Sequence, residues 1–171
     1  MRAMTLYQPH AWAVGYLGKD VENRPILPPL RIGERFAVHG GQNLVVRSLL
    51  SICQETNCRP INLVLPGHED METRGMLTTG AVAAVATLGG WVKVHVAASG
   101  RNVVIGRSGN LSDQQAEHYA ASRWAFGKYL WVLDQVLALP APVLCSGAQG
   151  AWTLPADVEA AVLAQLQKGA S

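Results

Sequence analysis

Residues 80–96 read GAVAAVATLGGWVKVHV, and this stretch decides the fold. Its first part, Gly80–Leu88, is a run of small apolar residues, which is typical of a strand buried on both faces. WVKVHV then alternates apolar and polar residues, as a half-buried strand does, and the two glycines between the parts predict a bend or bulge. A further apolar run at Tyr129–Leu139, YLWVLDQVLAL, predicts a second strand, ended by the proline that follows it. We expect both runs to be central strands.

Helix signals are interspersed among these strand signals. Four places predict a helix: the residues after Pro9, the apolar stripe at 45–53, the capping box of Ser112 and Gln115, and about 155–168. No βαβ unit repeats, and no change of composition marks a boundary. The sequence therefore predicts one mixed α+β domain over residues 1–171, a curved sheet or small barrel flanked by helices, with the terminal helix packed on it.

Composition excludes several classes of protein. Of the 171 residues, 49% are hydrophobic and 15% are charged, which excludes a disordered chain. No apolar run reaches the ~18 residues of a spanning helix, and no apolar stretch of signal-peptide type precedes Gln8, so we expect a cytoplasmic protein without membrane contact. Three scattered cysteines and five scattered histidines predict neither a disulfide framework nor a metal site, and no cofactor is expected.

The charge balance bears on the partner. A net charge of +2 argues against tight, nonspecific binding to duplex DNA. Arginines outnumber lysines, and arginine suits phosphate and base contacts, although a GC-rich genome would give the same bias. The long polar segment 57–79 has little periodicity, and loops of that length are usually functional or mobile. A protein partner bound through 57–79 is therefore a further alternative.

Three chemically complementary residues stand where the first helix gives way to an extended segment. Lys19 follows the helix end at Gly18, and Glu22 and Arg24 lie two apart on the segment before Pro25. Because side chains alternate along a strand, Glu22 and Arg24 point to one face. A cation, a carboxylate and a guanidinium together suit a phosphate and a base edge. The alternative is a Glu22–Arg24 ion pair that only fixes the corner, with Lys19 solvated.

Further candidate ligand contacts lie near that corner in sequence. Tyr7, Gln8 and Trp12 precede it, and an aromatic residue there either stacks on a base or belongs to the core. His39 ends a strand before two glycines, where it either meets a ligand or is a satisfied polar residue. Arg35 extends a positive rim or is simply solvated.

The order of several motifs resembles the ASCH domain family of the PUA-like superfamily. The motifs are LYQPHAWAVGYLGKDVENRP at 6–25, ERFAVHGG at 34–41, LTTGAVAAVATLGGWVKV at 77–94 and GKYLWVLDQVLALPAPVLCSGAQGAWTLP at 127–155. The resemblance runs from Met4 to about Pro155. It implies a PUA-like β-barrel with a cleft beside the first helix, and a protein that binds RNA or acts on modified nucleosides.

The resemblance leaves two functions open. The first is a nucleic-acid-binding module that holds RNA, another single strand or a modified nucleotide. The second is a hydrolase, either a ribonuclease with Lys19, Glu22 and His39 as acid–base groups or an N4-acylcytidine amidohydrolase. Relatives of the amidohydrolase type carry a lysine, a threonine three positions later and an arginine two beyond. Lys19 and Arg24 match that pattern, but Glu22 stands where the threonine nucleophile belongs, so a covalent route through a hydroxyl is not expected.

Overall fold

The computed structural model describes residues 1–168, which form nine strands and four helices. The strands are β1 (Arg2–Gln8), β2 (Val21–Arg24), β3 (Arg35–Leu44), β4 (Cys58–Arg59), β5 (Glu72–Thr73), β6 (Ala81–Val96), β7 (Asn102–Arg107), β8 (Tyr129–Leu144) and β9 (Ala151–Thr153). The helices are α1 (His10–Tyr16), α2 (Val46–Thr56), α3 (Asp113–Ala120) and α4 (Ala156–Lys168).

Seven of the strands form one mixed sheet. Their order is β2-β8-β6-β3-β1-β9, and β7 pairs with β6 beside this path. Strands β1 and β3 are parallel, whereas β2 and β8, β6 and β7, and β1 and β9 are antiparallel. The predicted α+β class is confirmed, and β6 and β8 are interior strands as expected. Among the described residues the path runs from β2 to β9 without closing on itself, so the predicted barrel is present as an open sheet.

Strand β8 is longer than the sequence predicted. It was expected to end at Leu139, but it continues to Leu144 through two prolines. Strand β2 pairs only with residues 129–132 of β8, so it does not cover the second half of β8. Prolines are tolerated along such an uncovered edge, because no backbone N–H is needed there for a neighbouring strand. Between the prolines, the side-chain amide of Gln165 on α4 both donates to and accepts from the backbone of Ala141, at 2.9 Å each. Gln165 thereby replaces a neighbouring strand at this edge.

The glycine pair at 89–90 does not interrupt β6. The strand is continuous from Ala81 to Val96, and its pairing with β7 shifts register between Lys93 and Val94 instead. The predicted bulge is therefore displaced toward the end of the strand.

The chain divides into two compact units. Unit 1 contains residues 1–18, 36–85 and the chain from Val136 onward, and unit 2 contains Lys19–Arg35 and Ala86–Gln135. Strands β6 and β8 each contribute to both. A single domain over 1–171 stays a prediction, and the two units are described separately below.

The core of unit 1 joins α4 to the sheet. Val158 and Val162, one turn apart on α4, pack in one apolar cluster with residues of four strands and with Leu154, which follows β9. The other buried members of this cluster are Ala3, Ala37, Val82, Val85, Leu139 and Leu154.

The segment 57–79 is ordered by hydrogen bonds within itself and by one to α1. Strands β4 and β5 pair within it, and the Asn62 side chain both donates to and accepts from the backbone of Leu77. The indole of Trp12 donates to the carbonyl of Arg74 at 2.7 Å. Because these contacts use backbone groups and polar side chains, they leave no apolar period in the sequence. Within residues 1–168, no helix is long and apolar enough to cross a lipid bilayer.

Candidate functional site

The corner predicted from the sequence lies in unit 2, where β2 pairs with the start of β8. Glu22 is directly opposite Trp131, and Arg24 is directly opposite Tyr129. Residues opposite each other in an antiparallel pair share a face of the sheet. Glu22, Arg24 and the two aromatic residues therefore lie on one face, and local alternation correctly placed the first two together.

Lys19 is the buried member of the corner. Its ammonium donates to the carbonyl of Val21 at 2.5 Å and to Oε2 of Glu22 at 2.6 Å, and its side chain has no exposed surface. The alternative in which Lys19 is solvated is wrong: the side chain is buried, and its ammonium has the carboxylate and carbonyl partners that a buried charge needs. A direct contact between Lys19 and a ligand would require the corner to open.

Glu22 joins the two cations. Its Oε1 lies 3.2 Å from Nε of Arg24, while Oε2 accepts from Lys19, and 13% of its side chain is exposed. Both carboxylate oxygens are therefore engaged with positive charge. A general base needs an oxygen that can reach the proton of a water molecule, and neither oxygen of Glu22 is free for that in the observed arrangement.

Arg24 brings the positive charge of the corner to the surface. Its guanidinium carbon is 5.6 Å from the ring centroid of Trp131, and 29% of its side chain is exposed. Trp131 is itself buried, and its indole donates to the carbonyl of Ile26 at 2.9 Å. With Lys19 and Glu22, the cluster has a formal charge of +1. The planar guanidinium carries five N–H donors, a geometry that suits an anion or a base edge.

The sequence did not reveal the contact between Arg24 and Trp131. Trp131 stands in an apolar strand, so its burial is expected, but its position under Arg24 depends on the register between β2 and β8. Arg35 belongs to the same unit. It lies exposed at the first position of β3, and no ion pair joins it to Glu22.

The other predicted contact residues belong to unit 1, where two of them support α1. The Gln8 side chain is buried; its Oε1 accepts from the backbone N–H of Trp12 at 3.1 Å, and its Nε2 donates to the carbonyl of Thr78 at 2.8 Å. Trp12 is wholly buried, as the core alternative predicted. Tyr7, by contrast, is 62% exposed and is the one of this group that offers surface to a partner.

His39 is a buried, neutral base in unit 1. Its Nε2 lies 3.1 Å from the carbonyl of Cys145; a carbonyl only accepts, so Nε2 carries the hydrogen. Burial lowers the pKa of His39, and the bond to Cys145 opposes that effect in part. The edge of the ring faces Trp152, and within the described residues Nδ1 has no hydrogen-bond partner. Of the three residues in the hydrolase alternative, Lys19 and Glu22 thus belong to unit 2, and His39 belongs to unit 1.

Residues suited to binding metals are not gathered at any point of the described chain. Within residues 1–168, no three histidine, cysteine or acidic side chains lie close enough to hold one ion. The three cysteines are free thiols.

Comparisons with known proteins concern the fold alone. No family model matches the sequence, and no curated protein matches it. Among solved structures, the chain is similar to the crystal structure of ASCH from Zymomonas mobilis, with 15% identity, a TM-score of 0.46, and coverage of 95% of this chain and 93% of that one. It is also similar to two point mutants of that protein. One has 14% identity, a TM-score of 0.47 and coverage of 95% and 94%; the other has 16%, 0.47, and 95% and 96%. These structures carry the name of the family whose motifs this sequence resembles.

Proposed function

We propose that this chain is a nucleic-acid-binding module in which Arg24 contacts a nucleotide of RNA or of another single strand. One observation carries the proposal: the guanidinium of Arg24 lies over Trp131, forms an ion pair with Glu22 at 3.2 Å from Nε to Oε1, and remains partly exposed. The guanidinium is already ordered on the Trp131 ring, and part of it reaches the surface. It can therefore bind a phosphate or a base without losing further conformational freedom.

The chemistry of arginine favours this class of ligand. The guanidinium is planar, and its donors match two phosphate oxygens or the acceptor edge of a base. Bases that are unpaired, in loops or single strands, expose such edges, whereas duplex nucleic acid hides them. The net charge of +2 suits a few defined contacts better than nonspecific binding along a duplex. The resemblance of the motifs to the ASCH family supports the same class.

In this proposal Lys19 and Glu22 position Arg24 and do not touch the ligand. The Lys19 ammonium fixes one oxygen of Glu22 at 2.6 Å, and the other oxygen lies 3.2 Å from Nε of Arg24 and attracts its positive charge. The hydrolase alternative receives less support from this corner, because Glu22 would have to give up an ion pair to accept a proton from water.

The test compares Arg24→Ala with a variant that removes the same charge elsewhere in unit 2. Arg101 is exposed and lies just before β7, so Arg101→Ala is the matched control. Affinity is measured by fluorescence anisotropy with labelled oligouridine of about 10 nucleotides. Loss of a charge-assisted contact of about 1.5–3 kcal/mol predicts a roughly 10- to 150-fold weaker affinity for Arg24→Ala. Arg101→Ala should bind as the unmodified protein does.

Two results would contradict the proposal. The first is normal binding by an Arg24→Ala protein of unchanged melting temperature. The second is the absence of binding by the unmodified protein to RNA, single-stranded DNA and nucleotides. Hydrolysis of N4-acetylcytidine that disappears in Glu22→Gln would instead support the hydrolase alternative.

A further inference from the structure

Two lysines of unit 2 meet at one aromatic ring. The Nζ atoms of Lys93 and Lys128 lie 5.8 and 5.7 Å from the ring centroid of Tyr129. The ring of Trp91 meets that of Tyr129 edge to face, with centroids 6.2 Å apart. We call these four residues the Tyr129 face. They come from β6, from β8 and from the residue just before β8.

The positive charge of this face is not neutralised. In the part of the chain that the structure describes, neither Lys93 nor Lys128 forms an ion pair with a carboxylate. Two ammonium groups near one ring repel each other, and their attraction to the ring only partly offsets that repulsion. An anion that bound between them would remove this repulsion. The face is therefore electrostatically prepared for a negatively charged ligand.

The neighbouring strand leaves room beside the aromatic rings. Gly106 on β7 is directly opposite Lys93, and a Cβ atom built there would be in ordinary contact with Lys93 and Trp91, at 3.7 and 3.9 Å. Because position 106 is a glycine, β7 places no side chain beside Lys93 and Trp91 at this point.

We propose that the Tyr129 face binds single-stranded nucleic acid, with bases stacked on Tyr129 and Trp91 and phosphates on Lys93 and Lys128. Stacking on aromatic rings beside lysines is the usual way in which proteins hold unpaired strands. The flexible lysine stems allow each ammonium to leave the ring for a phosphate when a base takes its place. An acidic peptide would satisfy the lysines but would give the two rings no stacking partner.

This inference extends the proposed function. Arg24 is directly opposite Tyr129 in the β2–β8 pair, so one strand of nucleic acid that contacts Arg24 continues onto the Tyr129 face. The two proposals nevertheless use different residues, and variants of Tyr129 or the lysines can fail while Arg24 remains essential.

The ring is tested by a pair of substitutions at one position. Tyr129→Leu removes the stacking surface, and Tyr129→Phe keeps it. Affinity for oligouridine and oligothymidine of about 10 nucleotides should fall roughly 5- to 150-fold in Tyr129→Leu and stay within about twofold in Tyr129→Phe. Equal affinity for both oligomers indicates recognition by stacking, and a preference for oligouridine indicates a further contact to the 2′-hydroxyl group. Melting temperatures of both variants establish that the fold is intact.

The lysines are tested by salt dependence, which a defect in folding would not reproduce. Each phosphate contact contributes about 0.7 to the slope of log affinity against log salt for a single strand. Lys93→Ala and Lys128→Ala should each lower that slope by about 0.7. Arg101→Ala removes the same charge about 16 Å along the chain from Gly106, the residue opposite Lys93. This variant should leave the slope unchanged.

The outcomes separate the two proposals. If Tyr129→Leu and both lysine variants bind like the unmodified protein while Arg24→Ala does not, the Tyr129 face is not the site and the proposed function stands. If the unmodified protein binds neither oligomer, this inference is wrong, and the proposed function falls with it only if nucleotides also fail to bind. If it binds oligoglutamate through Lys93 and Lys128 but no oligonucleotide, the face takes an acidic peptide and this inference is wrong.

Discussion

Replacing Lys19 with methionine should destabilise the protein far more than the loss of a surface lysine does. Methionine keeps much of the apolar stem and removes the ammonium, which donates to the Val21 carbonyl and to Glu22 and has no exposed surface. Breaking a buried ion pair by removing one partner costs about 3–5 kcal/mol. Glu22 keeps its contact with Arg24 and is 13% exposed, so we expect the lower end of that range, about 3 kcal/mol.

The measurement is urea unfolding, with a double-mutant cycle to isolate the pair. For a chain of this size, a loss of about 3 kcal/mol lowers the melting temperature by roughly 6–12 °C. Lys19→Met combined with Glu22→Gln should recover about 1 kcal/mol or more of the loss, because a neutral amide does not need the cation. Arg107→Met is the matched control: Arg107 lies 2.8 Å from Asp113, whose side chain is 93% exposed, and the loss should stay below about 1 kcal/mol.

The reasoning is refuted if Lys19→Met costs no more than Arg107→Met. Lys19 would then behave as an exposed cation, and a direct contact between its ammonium and a phosphate would again be the better account. Persistence of the Lys19→Met loss at about 1 M salt, where the Debye length is about 3 Å, would further distinguish a buried pair from a screened one.

Two other predictions concern His39. Burial lowers the pKa of His39 in the folded state, so the unfolded chain binds a proton at this histidine more readily. The contribution of neutral His39 to the free energy of unfolding is therefore fully present above the ordinary pKa of 6.5. It is lost as the pH decreases from there toward the lowered pKa. His39→Gln keeps a donor for the Cys145 carbonyl, so its melting temperature should fall less than that of the unmodified protein between about pH 8 and pH 5, and an equal fall would contradict the assignment. A Cβ atom at Gly147 would lie 2.6 Å from Nδ1 of His39, so Gly147→Ala should cost about 1–3 kcal/mol in urea unfolding. Gly109→Ala, where nothing lies within 4 Å, should cost less than about 0.5 kcal/mol, and equal costs would show that the ring of His39 can move aside.

Local patterns predicted the elements that depend on local chemistry. The capping box of Ser112 and Gln115 is present at the start of α3, with both of its hydrogen bonds formed. The continuous apolar run identified β6 because both faces of the strand are buried at its start, where successive side chains on either face avoid water. The end of β8 was misplaced because the effect of a proline depends on what lies beside it. At Ala141 the neighbour is a side chain on α4, which no local pattern predicts.

The chemistry of the corner combines one local and one nonlocal feature, and only the first is visible in the sequence. The period of two placed Glu22 and Arg24 on one face. The register of β2 on β8 then placed Trp131 under the guanidinium, although the two residues are separated by most of the chain. A lysine is expected to be exposed, because an ammonium is rarely buried unless it is paired. At Lys19 the pairing exists because β2 brings a backbone carbonyl and a carboxylate to the same point. Burial of Lys19 and partial exposure of Arg24 thus have one cause, the strand that carries Glu22 and Arg24, and this difference is why the proposed function has Arg24 contact the nucleotide while Lys19 and Glu22 position it.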